Sequence, residues 1–220
     1  MAITFEQIKS NEDIKTYITK ADESLRALGF TEHSFAHVGK VSEDAAYILT
    51  TLGYDARTVE LSRIAGYLHD IGNLVNRVDH SQSGAVMAFR ILDNLGMPAE
   101  EIALIVTAIG NHDEGTGVAV NPVAAALIIA DKSDVRRTRV RNADTSSFDI
   151  HDRVNYSVER SSLVISPDKK RAVLEIELDS SISSVMEYFS TFIGRMQMSK
   201  RAAEALGLDF SLVINGQELI

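Results

Sequence analysis

Six histidines and two aspartates stand in this sequence where they could bind metal ions together. The histidines are His33, His37, His69, His80, His112 and His151. His69 is followed directly by Asp70, and Asp131 ends the apolar run of residues 123–130. A buried carboxylate is costly unless a cation lies near it, and divalent ions shared with the imidazoles would satisfy both aspartates. The ordered set therefore predicts a metal site, which we expect to be dinuclear.

Each residue of this set also has an ordinary structural explanation. A single histidine on a helix is more often a hydrogen-bonded core or surface residue than a metal ligand. An aspartate that follows a histidine can cap the next helical turn, and Asp131 could pair with Arg136 or another nearby base. These explanations would have to hold independently, whereas one metal site accounts for all the residues jointly.

Helical patterning surrounds the candidate ligands from the start of the chain to about residue 140. Apolar residues recur there at helical spacing, and the segment contains no convincing strand. Asn11 and Asp55 are expected to cap the helices that follow them, and Gly53 to end the helix of residues 34–52. Asn121-Pro122 is expected to open the helix that leads to Asp131. Four of the histidines therefore lie at or near helix ends.

The pattern changes after residue 141, where a polar connector begins. A short amphipathic segment covers 149–160, and alternating residues at 162–166 and 172–178 predict a hairpin. A helix over 182–206 and a strand over 210–214 follow. We predict a mainly α protein, with an all-α domain of residues 1–141. A small α+β unit of residues 142–220 follows, with three antiparallel strands and one long helix.

Composition limits the class of protein. With no cysteine among 220 residues, a disulfide framework or a thiolate nucleophile is excluded. No signal peptide or membrane-length apolar run is evident, so we expect a cytoplasmic protein without membrane contact. A net charge of −9 argues against nucleic acid as a partner. Residues 132–141 are locally basic and could still bind an anionic substrate.

The order of His37, Leu68-His69-Asp70-Ile71-Gly72 and Asp131 resembles the H…HD…D signature of the HD superfamily of metal-dependent phosphohydrolases. The segments around His80 and His112 resemble a subset of that superfamily with two additional histidines. This subset includes the HD-GYP phosphodiesterases and the diadenosine tetraphosphatase-like proteins, and it binds two or sometimes three metal ions. The resemblance extends over about residues 33–135.

The resemblance implies two divalent transition metals per chain, with iron or manganese best suited to imidazole and carboxylate ligands. The implied ligands of the first ion are His37, His69, Asp70 and Asp131. The implied ligands of the second ion are His80, His112 and Asp70, which would bridge the two. His33 lies one helical turn before His37, where HD-GYP proteins place a glutamate ligand, so it is either a further ligand or a supporting residue.

The sequence also departs from the HD-GYP pattern. Gly115-Thr116-Gly117-Val118 stands where the Gly-Tyr-Pro tripeptide would be expected. Asn73 and Asp113 occupy positions that usually carry lysine and histidine, and the interval from Asp70 to His80 is much shorter. Hydrolysis of cyclic di-GMP is therefore not the first expectation.

The resemblance implies hydrolysis of a small phosphorylated substrate, which could be a nucleotide, through a metal-bound hydroxide. Asp70 would act in catalysis as the bridging ligand. Lys132 and Arg136 follow Asp131 on the same predicted helix, at offsets of one and five residues, and are candidates for binding phosphate. Asp134 and Glu114 are both candidates for the general acid, and the sequence does not select between them. The substrate could be a phosphomonoester or a phosphodiester.

Two other functions stay open. An HD-fold di-iron oxygenase would use the same ligands for redox chemistry, and a non-catalytic metal-binding regulatory module would use them only for sensing. The residues Phe189, Phe192, Met196 and Met198 offer more apolar surface than a small sheet needs. We therefore expect the C-terminal unit to form a homodimer contact or a lid over the helical domain.

Overall fold

The computed structural model describes residues 2–220, and this part of the chain is mainly helical. Its α-helices are α1 (Phe5–Ser10), α2 (Glu12–Ala27), α3 (Phe35–Leu52), α4 (Ala56–Leu68), α5 (His80–Asn94), α6 (Ala99–Gly110), α7 (Pro122–Ser133), α8 (Ile150–Ser157) and α9 (Val185–Ala205). Its strands are β1 (Val158–Ile165), β2 (Arg171–Leu178), β3 (Asp209–Ile214) and β4 (Gln217–Glu218). Single 3₁₀ turns cover Ile71–Leu74, Arg137–Arg139 and Thr145–Ser147. The predicted fold class, a helical core followed by a small α+β unit, is confirmed.

The predicted helix ends are also confirmed where a capping residue marks them. The side chains of Asn11, Asp55 and Asn121 accept hydrogen bonds from the first-turn amides of α2, α4 and α7. Gly53 ends α3 with a φ of 91°, a conformation that glycine adopts without strain. Helix α1 was not predicted, because its 6 residues are too few to show a helical period.

The C-terminal sheet differs from the expected arrangement of three antiparallel strands. It has four strands in the order β1-β2-β3-β4, and the predicted hairpin of β1 and β2 is confirmed. Strands β2 and β3 pair in parallel, so the expectation that all pairs are antiparallel was wrong. The reason is topological: α9 crosses from the end of β2 to the start of β3, as a parallel pair requires. The short β4 then turns back antiparallel to β3.

Helix α9 is covered on two sides, by α7 of the helical part and by strands β2 and β3. Its Phe192, Met196 and Met198 are buried inside the chain, in the same core cluster as the apolar residues of α7. Strand β1 adds polar contacts, since the Ser161 hydroxyl donates to the Ser133 carbonyl at 2.6 Å. These contacts within the chain bury apolar residues that were expected to form a homodimer contact. The homodimer itself stays a prediction. The division into domains at residue 141 also stays a prediction.

Among the described residues, no helix combines the length and apolar character that crossing a membrane would require.

Candidate metal centre

Six candidate ligands meet where the ends of five helices come together, and we call them the ligand cluster. They are His37, His69, Asp70, His80, His112 and Asp131. His37 lies in the first turn of α3, and His69 and Asp70 directly follow α4. His80 is the first residue of α5, His112 follows α6 by two residues, and Asp131 lies in the last turn of α7. The structure therefore brings together the six ligands that the sequence suggested for two ions.

Asp70 lies between two groups of imidazoles and offers a different oxygen to each. Its Oδ2 lies 3.2 Å from His69 Nε2 and 3.5 Å from His37 Nε2. Its Oδ1 lies 3.4 Å from His80 Nε2 and 3.9 Å from His112 Nε2. Asp70 could therefore contact one cation through each of its oxygens.

Asp131 lies closest to the first of the two groups, although it also forms a compact set with His69 and His112. Its Oδ1 lies 3.4 Å from His37 Nε2 and 3.7 Å from His69 Nε2. This packing gives three overlapping sets of ligand atoms, each compact enough to hold one ion. The sets are His37, His69 and Asp70; His69, His112 and Asp131; and Asp70, His80 and His112.

The histidines of the cluster are all held through Nδ1. His69, His80 and His112 donate their Nδ1 protons to the backbone carbonyls of residues 66, 77 and 109, at 2.8, 3.1 and 2.6 Å. His37 donates its Nδ1 proton to Asp134 Oδ2 at 2.8 Å. A neutral imidazole that donates from Nδ1 carries its lone pair on Nε2, so the four rings would direct four lone pairs into the cluster when they are neutral.

The donor set fits divalent metal ions. The Nε2 atoms of His37 and His69 are buried and make no hydrogen bond within residues 2–220, although orphaned buried nitrogens are costly. Two nitrogens bound at about 2.1 Å to one ion lie about 3.0–3.4 Å apart, and the Nε2 atoms of His80 and His112 are 3.1 Å apart. Imidazole and carboxylate donors together suit transition metals such as iron and manganese.

Comparison with known families agrees with this geometry. The family model described as HD domain matches residues 34–145, a span that contains all six ligands of the cluster. The chain belongs to the HD family. HD domains bind divalent metals, and the match supports a metal-dependent hydrolase without specifying its reaction or substrate.

Two similar proteins add context. Over 200 residues the chain is 26% identical to the uncharacterized protein MJ1020 of Methanocaldococcus jannaschii. This alignment covers 80% of this chain and 76% of that protein. The crystal structure of a predicted HD superfamily hydrolase from an uncultured Thermotogales bacterium is also similar. It shares 26% identity over 56% of this chain and 67% of its own, with a TM-score of 0.44.

Charge compensation inside the HD site divides its histidines into two kinds. Burial lowers the pKa of His69, but the charges of Asp70 and Asp131 outweigh burial and raise the pKa to about 10. Burial and the charge of Arg139 lower the pKa of His37, but the nearby aspartates, Asp131, Asp134 and Asp70, outweigh them and raise it. For His80 and His112, burial dominates and lowers the pKa. Without metal, protons on the first group would therefore neutralise the aspartates.

Gly72, the glycine of the His-Asp-Ile-Gly run, allows the start of α5 to approach the HD dipeptide. A Cβ atom built on Gly72 would lie 2.0 Å from the His80 carbonyl oxygen and 2.4 Å from the Gly84 nitrogen. A side chain at this position would therefore push His80 away from Asp70. Gly84 sits against the same turn from the other side.

His33 lies beside the HD ligands without being part of a compact ligand group. Its ring centroid is 5.4 Å from that of His37, and its Nδ1 proton is donated to the Thr31 carbonyl at 2.7 Å. Burial and the charge of Arg139 hold its pKa well below the usual value, so the ring is neutral. A role as an additional ligand stays a prediction.

A cavity of about 260 Å³ opens above the HD ligands, and four cationic side chains line it. They are Arg77, Lys132, Arg139 and Arg195. Lys132 is buried, with its Nζ 2.8 Å from Asp131 Oδ2 and 3.3 Å from Glu114 Oε1. Lys132 therefore lines the cavity, and its role in binding phosphate stays a prediction.

The structure does not place Arg136 in this cavity, although the sequence made it a candidate for binding phosphate. Its Nε donates to Asp134 Oδ1 at 2.7 Å, and its Nη2 lies 3.6 Å from Glu32 Oε2. Helix α7 ends at Ser133, so the helical offset that was assumed for Arg136 does not apply. Arg136 supports Asp134 instead.

Asp134, which was a candidate for the general acid, lies in a position that does not suit this role. It is fully buried and accepts the Nδ1 proton of His37, so it orients a ligand and lies behind the cluster. Burial would raise its pKa, but His37, Arg139 and Arg136 outweigh burial and hold the pKa far below its usual value. A carboxylate that stays ionised has no proton to give to a leaving group.

Proposed function

We propose that this protein is a metal-dependent phosphohydrolase that hydrolyses the phosphate ester of a small molecule. One observation carries the proposal: the ligand cluster of an HD site lies directly beneath a cavity lined by four cationic side chains. Cationic side chains around metal ligands favour a substrate with concentrated negative charge. A purely structural metal site would not need them. An oxygenase acting on a neutral polyol would not need them either, whereas one acting on a phosphonate would.

The residues that would hold two divalent ions are those of the ligand cluster, with Asp70 shared between them. When bound, such ions supply Lewis acidity, which activates water and offsets the charge of a phosphoryl group. Asp134 and the three backbone carbonyls keep the Nε2 lone pairs turned inward. Hydrogen bonds of this kind fix the tautomer and the ring orientation of metal-binding histidines.

Lys132 and Arg77 are placed to bind the phosphoryl oxygens. Burial lowers the pKa of Lys132, but the charges of Asp131 and Glu114 outweigh burial and raise it, so the amine stays charged. The Nη1 of Arg77 lies 3.9 Å from Asp70 Oδ1 and within 3.4 Å of His80 Nε2, at the edge of the cluster. Preorganised cations at this place stabilise charge on a phosphoryl group as it is transferred.

Glu114 orients two of the cavity's cations, Lys132 and Arg195. It lies 3.3 Å from Lys132 Nζ and 2.9 Å from Arg195 Nε. Burial would raise the pKa of Glu114, but Lys132 and Arg195 outweigh burial and lower it. Glu114 is therefore suited to holding the two cations apart and poorly suited to donating a proton.

The size of the cavity favours a small phosphomonoester. Pockets for drug-sized ligands measure roughly 300–1,000 Å³, and this cavity of about 260 Å³ must also hold the ions. A dinucleotide would have to extend out of the cavity into solvent. We therefore favour phosphomonoester hydrolysis over the phosphodiesterase alternative.

A substrate panel on metal-reconstituted protein tests the proposal. Phosphate release is measured from sugar phosphates, nucleoside monophosphates and phenyl phosphate. Release of mononucleotides is measured from a dinucleotide, and oxygen consumption is measured with each substrate. We expect phosphate release from the monoesters, and its loss in His69→Ala but not in the control Asp93→Ala, an exposed residue of α5 outside the cavity. Oxygen consumption without phosphate release would support the oxygenase alternative instead.

A further inference from the structure

The C-terminal part of the chain forms one side of the cavity above the metal ligands. Helix α8 contributes His151, Asp152 and Asn155, and helix α9 contributes Arg195. The family match ends at residue 145, so these four residues lie outside the HD domain. They were also not assigned to substrate binding from the sequence, because hairpin and helix patterns do not show where the unit packs.

Arg195 is held in a fixed position, and both Nη nitrogens of its guanidinium are free. Its Nε donates to Glu114 Oε1 at 2.9 Å, and the guanidinium lies 4.5 Å from the centroid of the Phe192 ring. Within residues 2–220, its two Nη nitrogens make no hydrogen bond to a protein acceptor. Its side chain is 29% exposed, and that exposure opens into the cavity. A preorganised arginine with free Nη donors suits bidentate binding of a phosphate.

A short chain of ion pairs connects Arg195 to the metal ligands. Arg195 and Lys132 share Glu114, and Lys132 also pairs with Asp131 of the ligand cluster. If a metal ion compensates the charge of Asp131, Lys132 and Arg195 keep only Glu114 as a carboxylate between them and retain a net positive charge. An anion that contacts both cations would therefore lie directly beside the metal centre.

The α8 side of the cavity has the opposite character. Asp149 and Asp152 line the cavity there, with His151 and Asn155 between and beside them. Two carboxylates disfavour a second phosphate or any other negative charge on the leaving group. Carboxylate, imidazole and carboxamide groups together can both donate and accept hydrogen bonds, as recognition of hydroxyl groups requires.

We propose that the C-terminal unit is the substrate-recognition half of the active site, with Arg195 binding the phosphoryl group and α8 binding an uncharged, hydroxylated leaving group. The substrate class is then the phosphomonoester of a small polyhydroxylated molecule. This inference rests on the proposed function, because it assigns the two ends of the substrate in the same cavity.

The Arg195 assignment is tested by binding of inorganic phosphate to the metal-loaded, full-length protein, measured by calorimetry. Loss of a charge-assisted hydrogen-bonding group should raise the Kd of Arg195→Ala about tenfold or more. Arg195→Lys should recover part of the loss, and metal content should stay at the wild-type level. The matched control is Arg201→Ala, on the exposed side of the same helix, which should bind phosphate like wild type. Equal Kd values for Arg195→Ala and wild type would overturn the assignment.

The α8 assignment is tested by comparing a sugar phosphate with phenyl phosphate, which lacks hydroxyl groups. Asp152→Ala and Asn155→Ala should lower kcat/KM about tenfold for the sugar phosphate and leave phenyl phosphate and the Kd of inorganic phosphate unchanged. The matched control is Glu204→Ala, an exposed carboxylate on α9. Equal losses for both esters, or a wild-type preference for nucleoside triphosphates, would overturn it.

The two proposals fail in different ways. If the wild-type protein binds phosphate and releases none from any ester, the proposed function is wrong, and the Kd of Arg195→Ala still decides where the anion binds. If the wild type hydrolyses esters but Arg195→Ala binds phosphate normally, only the inference about the C-terminal unit is wrong. If the metal-loaded wild type binds no phosphate, both are wrong.

Discussion

The Nε2 atoms of His80 and His112 lie 3.1 Å apart, although each ring already donates its Nδ1 proton to a backbone carbonyl. Two neutral imidazoles of this tautomer direct their lone pairs toward each other, which is unfavourable unless a cation lies between them. Oδ1 of Asp70 lies within 3.9 Å of both nitrogens. We therefore expect the second group of ligands to hold an ion of its own.

The first prediction concerns the number of metal ions. Because His112 belongs to the second group, His112→Ala should bind about one ion per chain, and the wild type about two, by elemental analysis after anaerobic reconstitution. His151→Ala is the control, because His151 lines the cavity outside the compact ligand groups, and it should retain two ions. Equal metal content in His112→Ala and wild type would contradict the dinuclear arrangement.

The second prediction concerns Asp134, which orients His37. Asp134→Asn removes the charge that fixes the Nδ1 proton, and loss of such a supporting hydrogen bond typically weakens metal binding about 10–100-fold. Competition with a fluorescent chelator measures the affinity. Asp44→Asn, on the same helix as His37 but paired with Lys40, should bind metal like wild type. The role of Asp134 is wrong if the two variants have equal affinity.

The third prediction concerns pH. Burial lowers the pKa of His69, but Asp70 and Asp131 raise it to about 10 in the metal-free protein, so the ring is protonated at pH 7. A metal ion that binds His69 must displace this proton, so the affinity of the first site should rise from pH 7 to pH 9. Calorimetry in buffers of different ionisation enthalpy should show at least one proton released per first ion at pH 7. No proton release would contradict the charge compensation described for Asp70 and Asp131.

The fourth prediction concerns Gly72 and stability. A Cβ at this position would overlap the His80 carbonyl oxygen, so Gly72→Ala should lower the free energy of unfolding by about 1–3 kcal/mol and weaken metal binding. Gly194→Ala is the control, because a Cβ there meets nothing within 4 Å and α9 should gain helix propensity. Chemical denaturation of the metal-free proteins measures the free energy of unfolding of both variants, and competition with a chelator measures their metal affinity. A Gly72→Ala protein as stable as wild type would show that α5 does not need this close approach.

The sequence predicted the ligand cluster because each ligand stands at a helix end that local signals mark. Asp55, Asn121 and Gly53 define helix ends through short-range chemistry, and the positions of His69 and Asp131 follow from them. Long-range packing left no such signal. Arg195 reaches Glu114 across 81 positions of the chain, and neither residue shows its partner in the sequence.

Two local expectations were wrong for physical reasons. Arg136 was placed by extending the helical offset of Asp131, but α7 ends before it, and the chain turns Arg136 toward Asp134. The direction of β3 was also misjudged, because alternating residues fix which face of a strand is buried and say nothing of its direction. Because α9 crosses from the end of β2 to the start of β3, these two strands pair in parallel.

The most direct test of the account is phosphate release from a sugar phosphate as metal-free protein is titrated with Mn²⁺. Activity should reach its plateau at about two equivalents, and Asp70→Ala, which removes the shared ligand, should lose several orders of magnitude in rate while remaining folded. Asp93→Ala, an exposed carboxylate on α5, controls for substitution of an acid and should match wild type. An Asp70→Ala protein within tenfold of wild type, or activity independent of Mn²⁺, would contradict the account.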